Sequence, residues 1–333
     1  MLRLAAINVG LLAALAVVVL LIAEGWLRLT VPASTGGTIY EYTTATPRYK
    51  VMKANASIVA WGEELRTNEL GFRDAPVGPK KPGELRVAVL GDSLTVSAGV
   101  PADAIWTSRL QERLRATHPQ ARVVNLAVGG YNLEQYAIVL EEVGLRLQPD
   151  VILIGIAADN DFADDTFDAN RRVAQGLQPP PADPAFPKSL YVYRAYLGKV
   201  FDRFFRAVEP RPAMAATSKE AVVQRNRDAL RHIVEAARAR GVPVAAVVLP
   251  QNWHFARQRP DFDKVLAECR AQAMPCLDML ERFTARKLDP SELRLNALDS
   301  HPNKQYNALV AEALEPFVQQ LIRAPSPNLL TSR

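Results

Sequence analysis

The chain is expected to fold as an α/β protein: a three-layer α/β/α sandwich on a mainly parallel five-stranded sheet, preceded by an N-terminal transmembrane helix. Three observations predict this. From Arg86 onward, short apolar segments alternate with helical patterns at βαβ spacing. The segments are apolar throughout, as strands covered on both faces are, and do not alternate polar with apolar. Ahead of them, residues 4–23 form an uncharged run in which Asn8 is the only strongly polar member.

As a helix that run spans about 30 Å, the thickness of a bilayer's hydrocarbon core. It is longer than the apolar core of a signal peptide and lacks a small-x-small cleavage site behind it, which favours a retained anchor over a cleaved signal. Arg3 and the terminal amine stand before the run, Glu24 and Arg28 after it, so the positive-inside rule favours a cytoplasmic N-terminus and an exported C-terminal domain. Trp26 suits the membrane interface.

Four regions follow from the pattern: an anchor over 1–30, a β-prone, membrane-proximal spacer over 31–84, the main domain over 85–323 with a lid-like insertion at 161–217, and a frayed tail at 324–333. The spacer holds short β-prone pieces separated by turn residues, and Pro79-Lys-Lys-Pro-Gly83 reads as a linker. In the main domain, strands are expected at 86–90, 121–127, 151–156, 244–249 and 276–280. Helices are expected at 101–116, 133–147 with Asn132 as cap, 217–241 with a capping box from Thr217 to Glu220, 261–273 and 304–323. The insertion carries Pro179-Pro-Pro-Ala-Asp-Pro184 and an aromatic-rich helix over 190–207, composition suited to a lid or specificity element.

Composition narrows the function. The net charge of +5 comes from 40 basic and 35 acidic residues spread along 333 positions, with no dense basic block to track a phosphate backbone, so nucleic acid is not an expected partner. Cys269 and Cys276 lack the paired spacing of a zinc site; two buried thiols are the first reading, a bridge the second. Asp159, Asp161, Asp164, Asp165 and Asp168 lack the glycine and terminal glutamate of a calcium loop, and read as a solvated rim. No metal and no cofactor is expected.

The strand at 86–90 stops at Gly91 and delivers Ser93, at the sheet edge where open α/β folds do their chemistry. Ser93 is either a nucleophile or an ordinary capping hydroxyl. A serine needs a base, and the base an orienting group. Of the four histidines, His118 lies in a turn on the far side of the sheet, His232 lies within a helix in a surface or packing role, and His254 follows the fourth strand, where it could line the cleft. His301 lies in Ala297-Leu-Asp-Ser-His-Pro-Asn303, where Asp299, two residues earlier, can reach its ring.

Gly91-Asp-Ser-Leu94, Asn125-Leu-Ala-Val-Gly-Gly-Tyr131, Asn160 and Asp299-Ser-His-Pro-Asn303, in this order, are together similar to the SGNH (GDSL-type) hydrolases, over roughly residues 85–323. The resemblance implies the flavodoxin-like SGNH fold and an ester hydrolase working through an acyl-enzyme. Ser93 matches the nucleophile and, by its amide, one oxyanion donor; Gly130 matches the second donor, with Gly129 leaving the register open by one; Asn160 matches the third. His301 matches the base and Asp299 its orienting partner. Two departures stand out: the third block is Gly155-Ile-Ala-Ala-Asp-Asn-Asp161 instead of Gly-x-Asn-Asp, and Asp299 and His301 are separated by one residue instead of the more usual two. An α/β-hydrolase would show Gly-x-Ser-x-Gly and a distant acid, and neither is present. The expected partners are an acylated small molecule, glycan or lipid, together with the membrane. The alternatives are an O-acyltransferase on the same residues and a non-catalytic polysaccharide-binding or assembly protein.

Overall fold

The computed structural model describes residues 2–181, 189–193 and 218–323. Five strands form one parallel sheet: β5 (Arg86–Gly91), β6 (Arg122–Asn125), β7 (Val151–Ala157), β8 (Val244–Leu249) and β9 (Cys276–Asp278), in the order β6-β5-β7-β8-β9. Every residue of β5, β7 and β8 is buried, which is why these strands read as unbroken apolar runs. The chain leaves β5 for β6 on one side, then returns past it to β7. With right-handed crossovers this reversal puts α3 (Trp106–Arg115) on one face and α4 (Leu133–Glu142) on the other. The carboxyl ends of β5 and β7, where the strand order reverses, are where such sheets bind ligands. The short α2 (Ser93–Val96) starts at that edge, between β5 and α3.

α4 packs with α6 (Lys219–Arg238), and α3 packs with the closing α10 (Lys304–Arg323). Between them run α5 (Thr166–Ala174), α7 (Phe255–Ala271), α8 (Met279–Ala285) and α9 (Pro290–Leu293). Several boundaries differ from the sequence expectation. The second helix stops at Glu142 and a 3-10 turn covers Gly144–Leu147. The cap of α6 is Ser218, whose hydroxyl accepts from the Ala221 amide, and not Thr217. α7 begins at Phe255, six residues early, and carries Pro260 inside it. Asn132 caps α4 as expected, accepting from the Gln135 amide at 3.4 Å. Of the insertion 161–217, residues 161–181, which include α5, and residues 189–193 are described; the expected helix at 190–207 and the tail from 324 lie otherwise outside the described residues.

Cys269 on α7 and Cys276 on β9 are joined in a disulfide, with 6.2 Å between their Cα atoms, so the first reading of two free thiols is corrected. The geometry allows it because α7 turns directly into β9, holding the two Cα atoms within bridging range.

Residues 31–84 form two antiparallel hairpins, β1 (Tyr40–Tyr42) with β2 (Lys50–Met52) and β3 (Ser57–Ala60) with β4 (Glu63–Arg66). Ile39, Met52, Leu65 and Phe72 belong to the same buried core as the sheet. Ahead of them α1 (Leu2–Thr30) is exposed over most of its described side chains; residues 7–30 are long and apolar enough to cross a membrane. Its last turns dock on the body: Leu27 and Val31 are buried with Val192, flanked by Trp61 and Leu298, and Glu24 Oε2 accepts from the Val192 amide at 2.8 Å.

Candidate active site

β5 ends where Gly91 passes Thr95 so closely that a methyl group on Gly91 would overlap it. The next residue, Asp92, caps α2, its Oδ1 accepting from the Leu94 amide at 2.9 Å. The cap fixes the turn that lifts Ser93 to the edge of the sheet. The loop carrying Asp299 and His301 is fixed just as closely. Asn303 caps α10 by accepting from the Gln305 and Tyr306 amides, each at 3.0 Å, and its Nδ2 donates to the Glu292 carbonyl at 2.6 Å. The His301 carbonyl accepts from the Leu295 amide at 2.7 Å.

These two rigid pieces, 208 residues apart in sequence, meet: His301 Nε2 lies 2.9 Å from Ser93 Oγ. His301 Nδ1 lies 2.5 Å from Asp299 Oδ1, which also accepts from the His301 amide at 2.9 Å. A carboxylate can only accept, so Nδ1 carries the proton and Nε2 is left as acceptor for the serine hydroxyl. Burial works against a charged His301, but the hydrogen bond and charge of Asp299, with Asp92 behind them, outweigh it and raise its pKa above the usual value. Burial likewise opposes the Asp299 carboxylate, and the hydrogen bond and charge of His301 hold it below the usual range. Asp92 is fully enclosed, and burial pushes it up to about 6.

Gly129 lies beside Ser93: a methyl group there would sit 3.7 Å from Ser93 Cβ. Gly130 follows with φ of 72°, in the left-handed region that favours glycine. Asn160 occupies the turn after β7, held by its amide to the Ala157 carbonyl at 3.3 Å. Among the described residues, neither the Ser93 amide, the Gly130 amide nor the Asn160 carboxamide has a hydrogen-bond partner; Asn160 Oδ1 is buried without one. No hydrogen bond joins Gly130 or Asn160 to Ser93 or His301.

Asp161 corrects the reading of a solvated acidic rim. It is 1% exposed and accepts from the Tyr136 hydroxyl and the Ala157 amide, both at 2.9 Å, so it pins the turn that presents Asn160. Asp165 and Asp168 face Arg225 instead of open solvent. Of the other histidines, His232 meets Glu141 on the surface and His118 the Thr117 hydroxyl; His254 is exposed at the start of α7.

The N-terminal hairpins add residues that the sequence did not single out. Trp61 Nε1 donates to Asp299 Oδ2 at 2.7 Å, completing the carboxylate's set of partners. Trp61 and Gly62 both have positive φ, as a tight hairpin turn requires; a tryptophan there gives no turn signal in the sequence. Lys50 Nζ donates to the Gly129 carbonyl at 2.6 Å, and the Tyr40 hydroxyl lies against the Gly129 backbone.

A model of the GDSL-like lipase/acylhydrolase family matches residues 89–309. The chain belongs to that family and is an ester-hydrolysing enzyme. Among curated proteins none matches the chain. Solved structures similar to it include TesA, at 16% identity over 71% of this chain and 99% of that one, with a TM-score of 0.44. An acetylxylan esterase, Axe2 from Geobacillus stearothermophilus, is 14% identical over 74% of this chain and 96% of its own, with a TM-score of 0.44. A two-domain esterase active on acetylated mannans is 17% identical, with a TM-score of 0.42; the match covers 74% of this chain and 52% of that one.

Proposed function

We propose that the chain is a serine esterase or O-deacylase that works through an acyl-enzyme. The observation that carries this reading is the unbroken relay from Ser93 Oγ through the His301 ring to Asp299, at the carboxyl edge of the sheet. Ser93 attacks the ester carbonyl while His301 takes its proton, and Asp299 stabilises the imidazolium that results. The negative charge that develops on the carbonyl oxygen is received by the Ser93 and Gly130 amides and the Asn160 carboxamide, donors without an acceptor among the described residues. Gly130 is favoured over Gly129 because the Gly129 backbone already meets the Tyr40 hydroxyl. His301 then passes its proton to the leaving alcohol and activates the water that releases the acid.

In this reading α1 is a retained anchor with a cytoplasmic N-terminus, and the catalytic domain is exported. The disulfide is in keeping with an oxidising compartment. The end of α1 lies against Trp61 and Leu298, which favours an ester carried on an envelope glycan or lipid near the membrane surface.

The experiment is labelling of the detergent-solubilised chain with a fluorophosphonate, paired with hydrolysis of a p-nitrophenyl ester. Labelling and turnover that disappear in Ser93→Ala and His301→Ala are expected; folded wild-type protein that takes no label overturns the reading. Product analysis with an acetylated glycan and a free glycan acceptor separates hydrolysis from transfer. Protease added to the exported face of intact membranes should cleave the catalytic domain; protection there overturns the orientation.

A further inference from the structure

Among the described residues, Lys50 is the least explained charge. It lies at the start of β2, outside the stretch that the family model matches, and is only 9% exposed. Among the described residues no carboxylate pairs with it. Its ammonium rests on the Tyr40 ring, 4.1 Å from the centroid, and its one hydrogen bond goes to the Gly129 carbonyl. A buried cation without a counter-charge is costly, and a single carbonyl is poor compensation.

That carbonyl has a second identity. The Gly129 C=O and the Gly130 N–H belong to the same planar peptide unit, so whatever binds one end aims the other. Lys50 Nζ also lies 3.1 Å from where a methyl group on Gly130 would stand, against the same peptide. The Tyr131 hydroxyl, just beyond it, donates back to the Lys50 carbonyl, and the Tyr40 hydroxyl meets the Gly129 backbone. The β1–β2 hairpin therefore holds the peptide 129–130 by both its charge and its edges.

We infer that Lys50 is a positioning residue for the oxyanion: it fixes the 129–130 peptide, polarises its carbonyl so that the Gly130 N–H becomes a stronger donor, and supplies positive charge behind it. This rests on the reading that the Gly130 amide receives the oxyanion. A hydrogen-bonded cation on the carbonyl side strengthens donation on the amide side by ordinary cooperativity. It is also arranged before the reaction begins, which is what makes such a contribution catalytic. The counter-charge that Lys50 lacks in the resting protein is then the oxyanion itself. Lys50 does not touch the substrate.

The lysine is also titratable in a useful range. Burial lowers its pKa to about 8, whereas burial pushes the facing Tyr40 up to about 12 and Tyr131 upward too. Arg48, two residues away, is paired with Glu142 at 2.9 Å. Lys50 is thus the group in this hairpin that loses its proton just above neutrality.

The test compares wild type, Lys50→Met, Lys50→Arg and Ser93→Ala in the full chain in detergent, with p-nitrophenyl acetate as probe and thermal melting as the check of folding. Lys50→Met should lower kcat roughly tenfold or more while KM changes less than about twofold. The wild-type kcat should fall above pH about 8. That limb should vanish in Lys50→Met, and Lys50→Arg should restore most of kcat without it. Folded Lys50→Met with wild-type kcat, while Ser93→Ala is inactive, overturns this inference alone. Full activity in Ser93→Ala overturns the serine-esterase reading and this inference with it. Where Lys50→Met does not fold, the wild-type profile decides: a flat kcat from about pH 8 to about pH 10 overturns the inference and a fall supports it.

Discussion

His301 is under two opposed demands. Burial favours its neutral form, which is the form that accepts the serine proton in the proposed mechanism; Asp299 and Asp92 favour the cation that it would become. The carboxylates win, so the pKa stands above the ordinary value of about 6.5. Because the neutral ring is the working form in the proposed mechanism, kcat/KM should fall as pH drops through that raised pKa and stay level above it until the Lys50 limb sets in near pH 8. Asp299→Asn removes the charge that sustains the cation, so the acid limb should move to lower pH while the plateau falls roughly a hundredfold or more. A pH–rate profile of the two proteins checks both; a limb that stays in place in Asp299→Asn contradicts the assignment of the carboxylate. Trp61 acts on the same carboxylate from the other side. Trp61→Phe keeps most of the ring and loses only the N–H, and should lower kcat about five- to tenfold with KM little altered, about the net worth of one ordinary hydrogen bond. An unchanged kcat would mean that the indole serves packing alone.

At the scale of elements, the loop carrying Asp299 and His301 is held between the cap of α10 and the β3–β4 hairpin, and the disulfide ties α7 to β9 at the far edge of the sheet. Replacing Cys269 and Cys276 together by serine should cost about 2 kcal/mol, as expected for a crosslink closing so short a loop. Chemical denaturation with and without a reductant measures it; equal stability in both would show that the bridge constrains nothing. The elements are also where the sequence is most readable. α10 runs over the residues that its periodicity predicts, and the five strands appear in order, because an apolar run between turn residues is a local signal. Helix starts are less legible. Pro260 resembles a helix boundary, yet α7 begins at Phe255, where that ring packs 5.8 Å from Phe283, and Gln258 exchanges hydrogen bonds with Gln251. Those partners come from tertiary packing. Ser93, Asp299 and His301 were legible because each sits in a recognisable block. Trp61 and Lys50 were not: their partners lie 238 and 79 residues further along, and nothing near them in sequence records the encounter.

For the whole molecule, the relation of α1 to the body matters most. The full chain should remain in the membrane fraction through an alkaline carbonate wash and leave it only with detergent; release by the wash would mean that the apolar helix does not anchor it. In the anchored form proposed above, no slack separates α1 from the body: Leu27 and Val31 are buried against Val192, beside the Trp61 that holds Asp299, and Arg28 stacks 5.0 Å from the centre of the Tyr191 ring. A domain on a long, loose tether sweeps a volume, meeting soluble molecules and membrane-bound ones alike. A domain seated on the end of its own anchor moves only as the helix diffuses in the plane of the bilayer. Its encounters with substrate become a search in two dimensions, so its turnover in a cell should be governed by the surface density of esters and not by their concentration in solution.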